Sequence, residues 1–307
     1  MEIPHQRHTI RLAGRDLQTN RRVSSTIGRV GVYTNRLLNV VRSQPDERDY
    51  RLEFDRETPE GQVVLPSRLT MTLPIQVGEV FDQGSIGSCT ANAAGSMYSC
   101  ILQKISGSTI TPSRLYVYWN SRSFTNTTSQ DVGCTLRDTM RALARFGVCR
   151  ESIWSYRPEN LFRRPAFNCF TEGSTRQALS YASIPTDLFQ MKSVLNAGYP
   201  FVFGLLLFSS FMDSSVITTG NVKNPDLKKE QFLGGHAMCA IGYDDEKQAF
   251  LVRNSWGRGW GMNGDAYIPY EYMTNPELCF DMWTLYSVEI PSPPSYPGRV
   301  IIRRRTR

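Results

Sequence analysis

From residue 89 onward the apolar positions alternate between helical and strand spacing. Ala94, Tyr98, Ile101 and Ile105 step by four, three and four, which predicts one buried helix face, and Gly107 permits the stop. Thr111-Pro112-Ser113 opens a second short helix through Tyr116 and Trp119, with Pro112 in its first turn. The Ser/Thr/Asn run 121–129 reads as a loop. Leu136, Met140, Leu143 and Phe146 mark a third helix, ended by Gly147. Residues 150–186 are turn-rich and show no usable period. Leu188, Met191, Val194 and Leu195 predict a helix ending at Gly198, and the unbroken apolar run Phe201 to Phe208 predicts a buried strand. Residues 209–230 are polar and read as an excursion over the surface. Ala237 to Tyr243 and Ala249 to Arg253 read as two strands joined by the turn Asp244-Asp245-Glu246-Lys247. Ala266 to Ile268 and Trp283 to Val288 supply further strands, and the prolines between Pro291 and Pro297 end the body.

Upstream, residues 1–60 are Arg-rich and lack sustained apolar periodicity, although Tyr50-Arg51-Leu52-Glu53-Phe54 alternates like a strand. The expected division is a basic N-terminal extension or pro-segment over 1–64, a catalytic body over 65–290 and a Pro- and Arg-rich tail over 291–307. Charge follows the same division. The chain carries +7 in total, with eight Arg against two acids in the first 45 residues and five Arg with no acid in the last 17. The body is neutral. Basic ends read as solvated arms or as docking segments for an acidic partner.

The seven cysteines have no framework rhythm, and Met1 to Arg15 is polar and charged, unlike a signal peptide. The ten-residue apolar run 199–208 is too short to cross a bilayer. These features predict an intracellular, cytoplasmic protein with free thiols in a reducing compartment. No Cys-x-x-Cys or His-x-x-x-His spacing suggests a metal, and no cofactor is expected. The arginines have no interleaved aromatics, so nucleic acid is not an expected partner.

The candidate chemistry sits in Asp82-Gln83-Gly84-Ser85-Ile86-Gly87-Ser88-Cys89-Thr90, a glycine-bearing loop running into a helix. A thiol at a helix start meets the positive end of the dipole, which favours thiolate, the nucleophilic form. Of three histidines, His5 and His8 are terminal, so an imidazole partner for Cys89 is His236. Asn254 follows eighteen residues later at the same end of the predicted hairpin. Its carbonyl suits the imidazole N–H, while Trp256 and Trp260 can keep water from that bond.

Gln83…Gly87-Ser88-Cys89, Gly235-His236-Ala237 and Asn254-Ser255-Trp256-Gly257…Gly259-Trp260-Gly261 resemble the papain/cathepsin cysteine protease family, over roughly residues 65 to 290. Cys134-Thr135-Leu136-Arg137-Asp138 and Pro269-Tyr270-Glu271-Tyr272 look most like the family's intracellular bacterial and viral members. The resemblance implies an α+β, two-lobed fold with a helical lobe, an antiparallel barrel-like lobe and a cleft between them. It implies peptide hydrolysis on a polypeptide substrate through an acyl-enzyme. In that reading Cys89 is the nucleophile, His236 the acid and base, Asn254 the ring orienter and Gln83 an oxyanion donor. Gly133, Gly235 and Trp256 would line the substrate groove. Two positions depart from the family pattern: Ile86 stands where a cysteine is usual, removing a disulfide partner, and Thr90 where an aromatic is usual, removing a ring from the cleft wall. The alternative is a catalytically silent or structural protein on the same fold, anchored by its basic ends. Residues 1–60, lying upstream of the body, read as a removable or displaceable lid over the cleft.

Overall fold

The structure, a computed structural model, describes residues 35–59, 61–71, 80–107 and 110–286, with the backbone of Thr9–Leu12, Arg15–Gln18, Arg21–Arg22 and Val300–Arg304. The side chains of residues 1–34 and 287–307, with His5, His8 and the prolines after residue 290, lie outside the described residues.

Three helices build one lobe. Helix α1 (Cys89–Ser106) ends on Gly107, whose φ of +68° is open to glycine without strain. Ala94, Tyr98 and Ile101 are buried along it as the spacing predicts, but Ile105 is 54 % exposed because the last turn runs past the packed core. Helix α2 (Arg114–Ser123) starts two residues after Pro112: Ser113 is its N-cap and accepts a hydrogen bond from the Tyr116 N–H. The helix also takes in Ser121 to Ser123, which the sequence assigned to loop. Helix α3 (Leu136–Phe146) is capped by Thr135, which accepts from the Asp138 N–H, and Gly147 at φ +67° follows it.

The other lobe is organised on a nine-stranded sheet. Its strands are β1 (Tyr50–Phe54), β2 (Arg68–Thr70), β3 (Tyr181–Ser183), β4 (Phe201–Phe208), β5 (Phe232–Asp244), β6 (Ala249–Arg253), β7 (Asp265–Pro269), β8 (Cys279–Leu285) and β9 (Val300–Arg304). The order is β7-β6-β5-β4-β8-β3-β1-β9, with β2 added beside β5. All pairs are antiparallel except β1 with β3. Every residue of β4 is buried, which explains its unbroken apolar run: both faces are covered. The predicted hairpin is β5–β6, with Cys239 opposite Arg253, so His236 and Asn254 fall at one end of it. The expected division at 64/65 falls inside this sheet, with β1 before it and β2 after it.

Residues 209–230 are not the surface excursion the polar count suggests. A short helix, α4 (Ser214–Thr219), forms there, and Phe211 is buried against two tryptophans. All seven cysteines are free and buried. No helix among the described residues is long and apolar enough to cross a membrane.

Candidate active site

Cys89 opens α1, and α1 packs on β5, which carries His236. The backbone N–H groups of Ala237, the residue after His236, and of Thr90 favour the Cys89 thiolate. His236 Nε2 lies 2.8 Å from Asn254 Oδ1, while its Nδ1 is buried with no hydrogen-bond partner. Asn254 Oδ1 also accepts from the Ser255 N–H at 2.8 Å, which fixes the amide orientation. Trp256 covers the imidazole at a ring separation of 5.1 Å. Trp260 and Phe211 extend this layer, with centroids 5.5 Å apart in a stacked pair. These rings exclude water from the His–Asn bond, as the sequence predicts for the tryptophans, and the structure adds Phe211.

The loop before Cys89 is stitched to the Asn254 loop. Gln83 N–H donates to the Ser255 carbonyl at 2.9 Å, and Gly257 N–H to the Phe81 carbonyl at 3.0 Å. Gln83 Oε1 accepts from the Ser255 hydroxyl at 2.7 Å, and Nε2 donates to the Ile86 carbonyl at 3.0 Å. One of the two amide hydrogens of Gln83 thus remains for an oxyanion. Three further side chains, unmarked by any sequence motif, shape this loop. Tyr156 OH donates to the Gln83 carbonyl at 2.9 Å and shares a 2.6 Å hydrogen bond with the Ser88 hydroxyl. Asp131 accepts the Gly87 N–H at 3.1 Å and the Tyr118 hydroxyl at 2.7 Å. Thr90, at the family's aromatic position, turns inward to Cys134 Sγ at 2.9 Å and does not form a groove wall.

A strap of the chain's own N-terminal region lies in the groove. Val40 N–H donates to the Gly235 carbonyl at 3.1 Å, and Val41 N–H to the Cys134 carbonyl at 3.2 Å. The Asn39 carboxamide, oriented to satisfy both neighbours, accepts the Gly133 N–H at 2.9 Å and donates to the Gly87 carbonyl at 3.0 Å. Leu38 packs above Gly234 and Val40 above Gly235, in space a Cβ on either glycine would invade. Upstream, Arg36 pairs with Asp82 and donates to the Gly84 carbonyl at 3.0 Å. Downstream, Ser43 N–H donates to Asp281 at 2.6 Å. Its one trace in the sequence is the pair of apolar doublets Leu37-Leu38 and Val40-Val41 inside an otherwise Arg-rich arm, too short to show a period.

Burial dominates the electrostatics of the site. Burial pushes the Cys89 thiol up to about 12, despite the Ala237 N–H. Burial also pushes His236 down to about 4, against the Asn254 bond, and the Arg36 guanidinium adds to the fall. Burial thus opposes the thiolate that the helix start favours. Among the described residues no group of three His, Cys, Asp or Glu side chains is placed to hold a metal.

The fold and these motifs have known counterparts. The sequence profile described as papain family cysteine protease matches residues 65–280. An uncharacterized peptidase C1-like protein of Acanthamoeba polyphaga mimivirus is 33 % identical over 278 residues, covering 84 % of this chain and 89 % of its own. Among solved structures, xylellain, a cysteine protease from Xylella fastidiosa, aligns with a TM-score of 0.75 at 29 % identity, covering 82 % of this chain and 96 % of its own. Digestive procathepsin L 3 of Tenebrio molitor larval midgut shares the fold, with a TM-score of 0.60 at 17 % identity over 73 % of this chain and 71 % of its own. Family profile, relative and fold agree: the chain belongs to the papain family of cysteine proteases.

Proposed function

We propose that this protein is a thiol-dependent endopeptidase held inactive by residues 36–43. The carrying observation is the imidazole of His236, tied to Asn254 through Nε2 and left with an unpartnered Nδ1, on the strand that packs against the helix opened by Cys89. With the strap displaced and water admitted, both pKa shifts relax toward their ordinary values and the thiol proton passes to Nδ1. Cys89 Sγ then attacks the scissile carbonyl carbon. The oxyanion is held by the free hydrogen of Gln83 Nε2 and the Cys89 N–H. The C–N bond breaks as the imidazolium protonates the departing amine, leaving a thioester. Water, deprotonated by His236, hydrolyses that thioester and restores the thiol.

The strap also bears on substrate choice. Leu38 and Val40 fill the space above Gly234 and Gly235, and Asn39 takes the Gly133 N–H. An extended polypeptide with apolar side chains at these positions would use the same surfaces, with Trp256 flooring the far side of His236. The free thiols suit action in a reducing intracellular compartment. The test is cleavage of a peptide library by strap-displaced protein, with and without Cys89→Ala. Turnover that survives the substitution would remove Cys89 from the mechanism, and no turnover in either would favour the silent-scaffold reading.

A further inference from the structure

Two glycines on separate loops converge on Asn39. Gly87, in the loop before Cys89, presents its carbonyl, and Gly133, in the loop before α3, presents its N–H. The Asn39 carboxamide fills this fork, donating at 3.0 Å and accepting at 2.9 Å. Any amide carries the same donor–acceptor pair, whether in a side chain or in the peptide unit of a bound substrate. The fork works only while the two loops keep their separation. Neither glycine lies in a helix or strand. The loop before Cys89 also has Ile86 where the family pattern has a cysteine, and no disulfide braces it.

One carboxylate joins the two loops instead. Asp131 accepts the Gly87 N–H with both oxygens, at 3.1 Å each. Its Oδ1 also accepts the Tyr118 hydroxyl at 2.7 Å. The Tyr118 oxygen in turn accepts the Gly133 N–H at 3.0 Å. The path from Gly87 to Gly133 thus runs through two side chains, and its links to the carboxylate are charge-assisted. Tyr118 is fully buried on α2, and the Arg122 guanidinium, one turn further on, lies 4.0 Å from the centre of its ring. The same guanidinium donates to the Gln130 carbonyl at 2.5 Å and to the Thr128 carbonyl at 3.3 Å, which fixes the chain just before Asp131.

We propose that Asp131 and Tyr118 are positioning residues of the groove. Acting as one unit, they hold the Gly87 carbonyl and the Gly133 N–H at the separation that grips a bound polypeptide, where a covalent brace is missing. This deepens the thiol-protease reading and rests on it. Neither side chain touches the reacting atoms, so the unit governs how firmly the groove holds a chain, strap or substrate, and not the attack by Cys89. Hydrogen bonds weaken steeply off line. A loop free to drift would therefore lose both bonds of the fork together.

The test uses Asp131→Asn and Tyr118→Phe, which keep the shape of each side chain and break one link of the path. Both are made in the full chain, with the recognition sequence of a sequence-specific protease inserted between Asp46 and Glu47 so that the strap can be released. In the uncut chain, labelling of Cys89 by a fluorescent iodoacetamide, mapped by mass spectrometry, should rise about tenfold in each variant. The buried Cys239 should stay unlabelled. In the cut chain, KM for a peptide long enough to cross the groove should rise about tenfold, with kcat within about twofold. The double variant should match the larger single effect, because breaking either link opens the path. Unchanged labelling and KM overturn the proposal. So do a fall in kcat at constant KM, multiplied effects in the double variant, or labelling of Cys239 at the rate of Cys89. If no peptide is cleaved in any form, wild type included, the protease reading fails, and the labelling series alone decides the role of Asp131 and Tyr118.

Discussion

The backbone oxygen of Asn39 occupies the place that a side chain on Gly133 would need, and Gly133 itself holds a φ of +76°. Gly133→Ala therefore both strains the loop, by about 1–2 kcal/mol, and collides with the strap. Labelling of Cys89 in the uncut chain should rise at least tenfold. Asn39→Ala, which leaves the Gly133 backbone unstrained, should also raise labelling, but less. Unchanged labelling in both variants would show that this contact does not hold the strap.

Gln83→Ala removes the side-chain oxyanion donor and the acceptor of the Ser255 hydroxyl. In the strap-released enzyme kcat should fall by about 10²–10³, or about 3–4 kcal/mol. The rate of Cys89 alkylation by iodoacetamide, which forms no oxyanion, should stay within a few-fold. A parallel fall in both rates would mean that the loop had collapsed.

Tyr156→Phe keeps the ring and removes the hydroxyl that joins the Gln83 carbonyl to the Ser88 side chain. At about 1 kcal/mol for each hydrogen bond, kcat should drop on the order of tenfold with KM unchanged. A peptide aldehyde, which binds as an oxyanion-bearing hemithioacetal, should lose affinity by a similar factor. If KM alone moves, Tyr156 does not position the loop.

Much of this site was legible because its chemistry is carried by rare residues in a fixed order. One usable histidine, one cysteine at a predicted helix start and a glycine- and tryptophan-rich loop left few pairings to consider. Helix stops at Gly107 and Gly147 were readable for a similar local reason: glycine frees the backbone there. The strap was not legible, because Leu38 and Val40 are buried by residues some 200 positions away and carry no period of their own. Tyr156 and Phe211 were hidden likewise, in stretches where turns mask any spacing. The burial of Cys89 was hidden for another reason: a helix start can be read from sequence, but the desolvation that opposes its effect comes from tertiary packing.

Asp281 gives a pH-dependent prediction. It holds a φ of +53° beneath Ser43, and burial raises its carboxyl from 3.8 to about 6, against the Ser43 bond and the nearby Arg137 and Arg42. A carboxyl raised in the fold binds its proton more tightly there than in the unfolded chain. Its stabilising share is present at acid pH and lost as pH climbs through about 6. Asn tolerates this φ and does not titrate. From pH 4 to 7 the wild type should therefore lose about 1–2 kcal/mol relative to Asp281→Asn, allowing for solvent in the cleft that Asp281 lines with Arg42 and Arg137. Denaturant melts at both pH values measure this, and a flat difference refutes it.

Val40 and Val41 are neighbours in the chain, yet their amides bind opposite banks: one the stranded lobe at Gly235, the other the helical lobe at Cys134. No disulfide crosses the interior. In the covered form one thread of the chain's own backbone is therefore bonded to both lobes, beside the packing of α1 on β5, and the molecule's latch also serves as a seam.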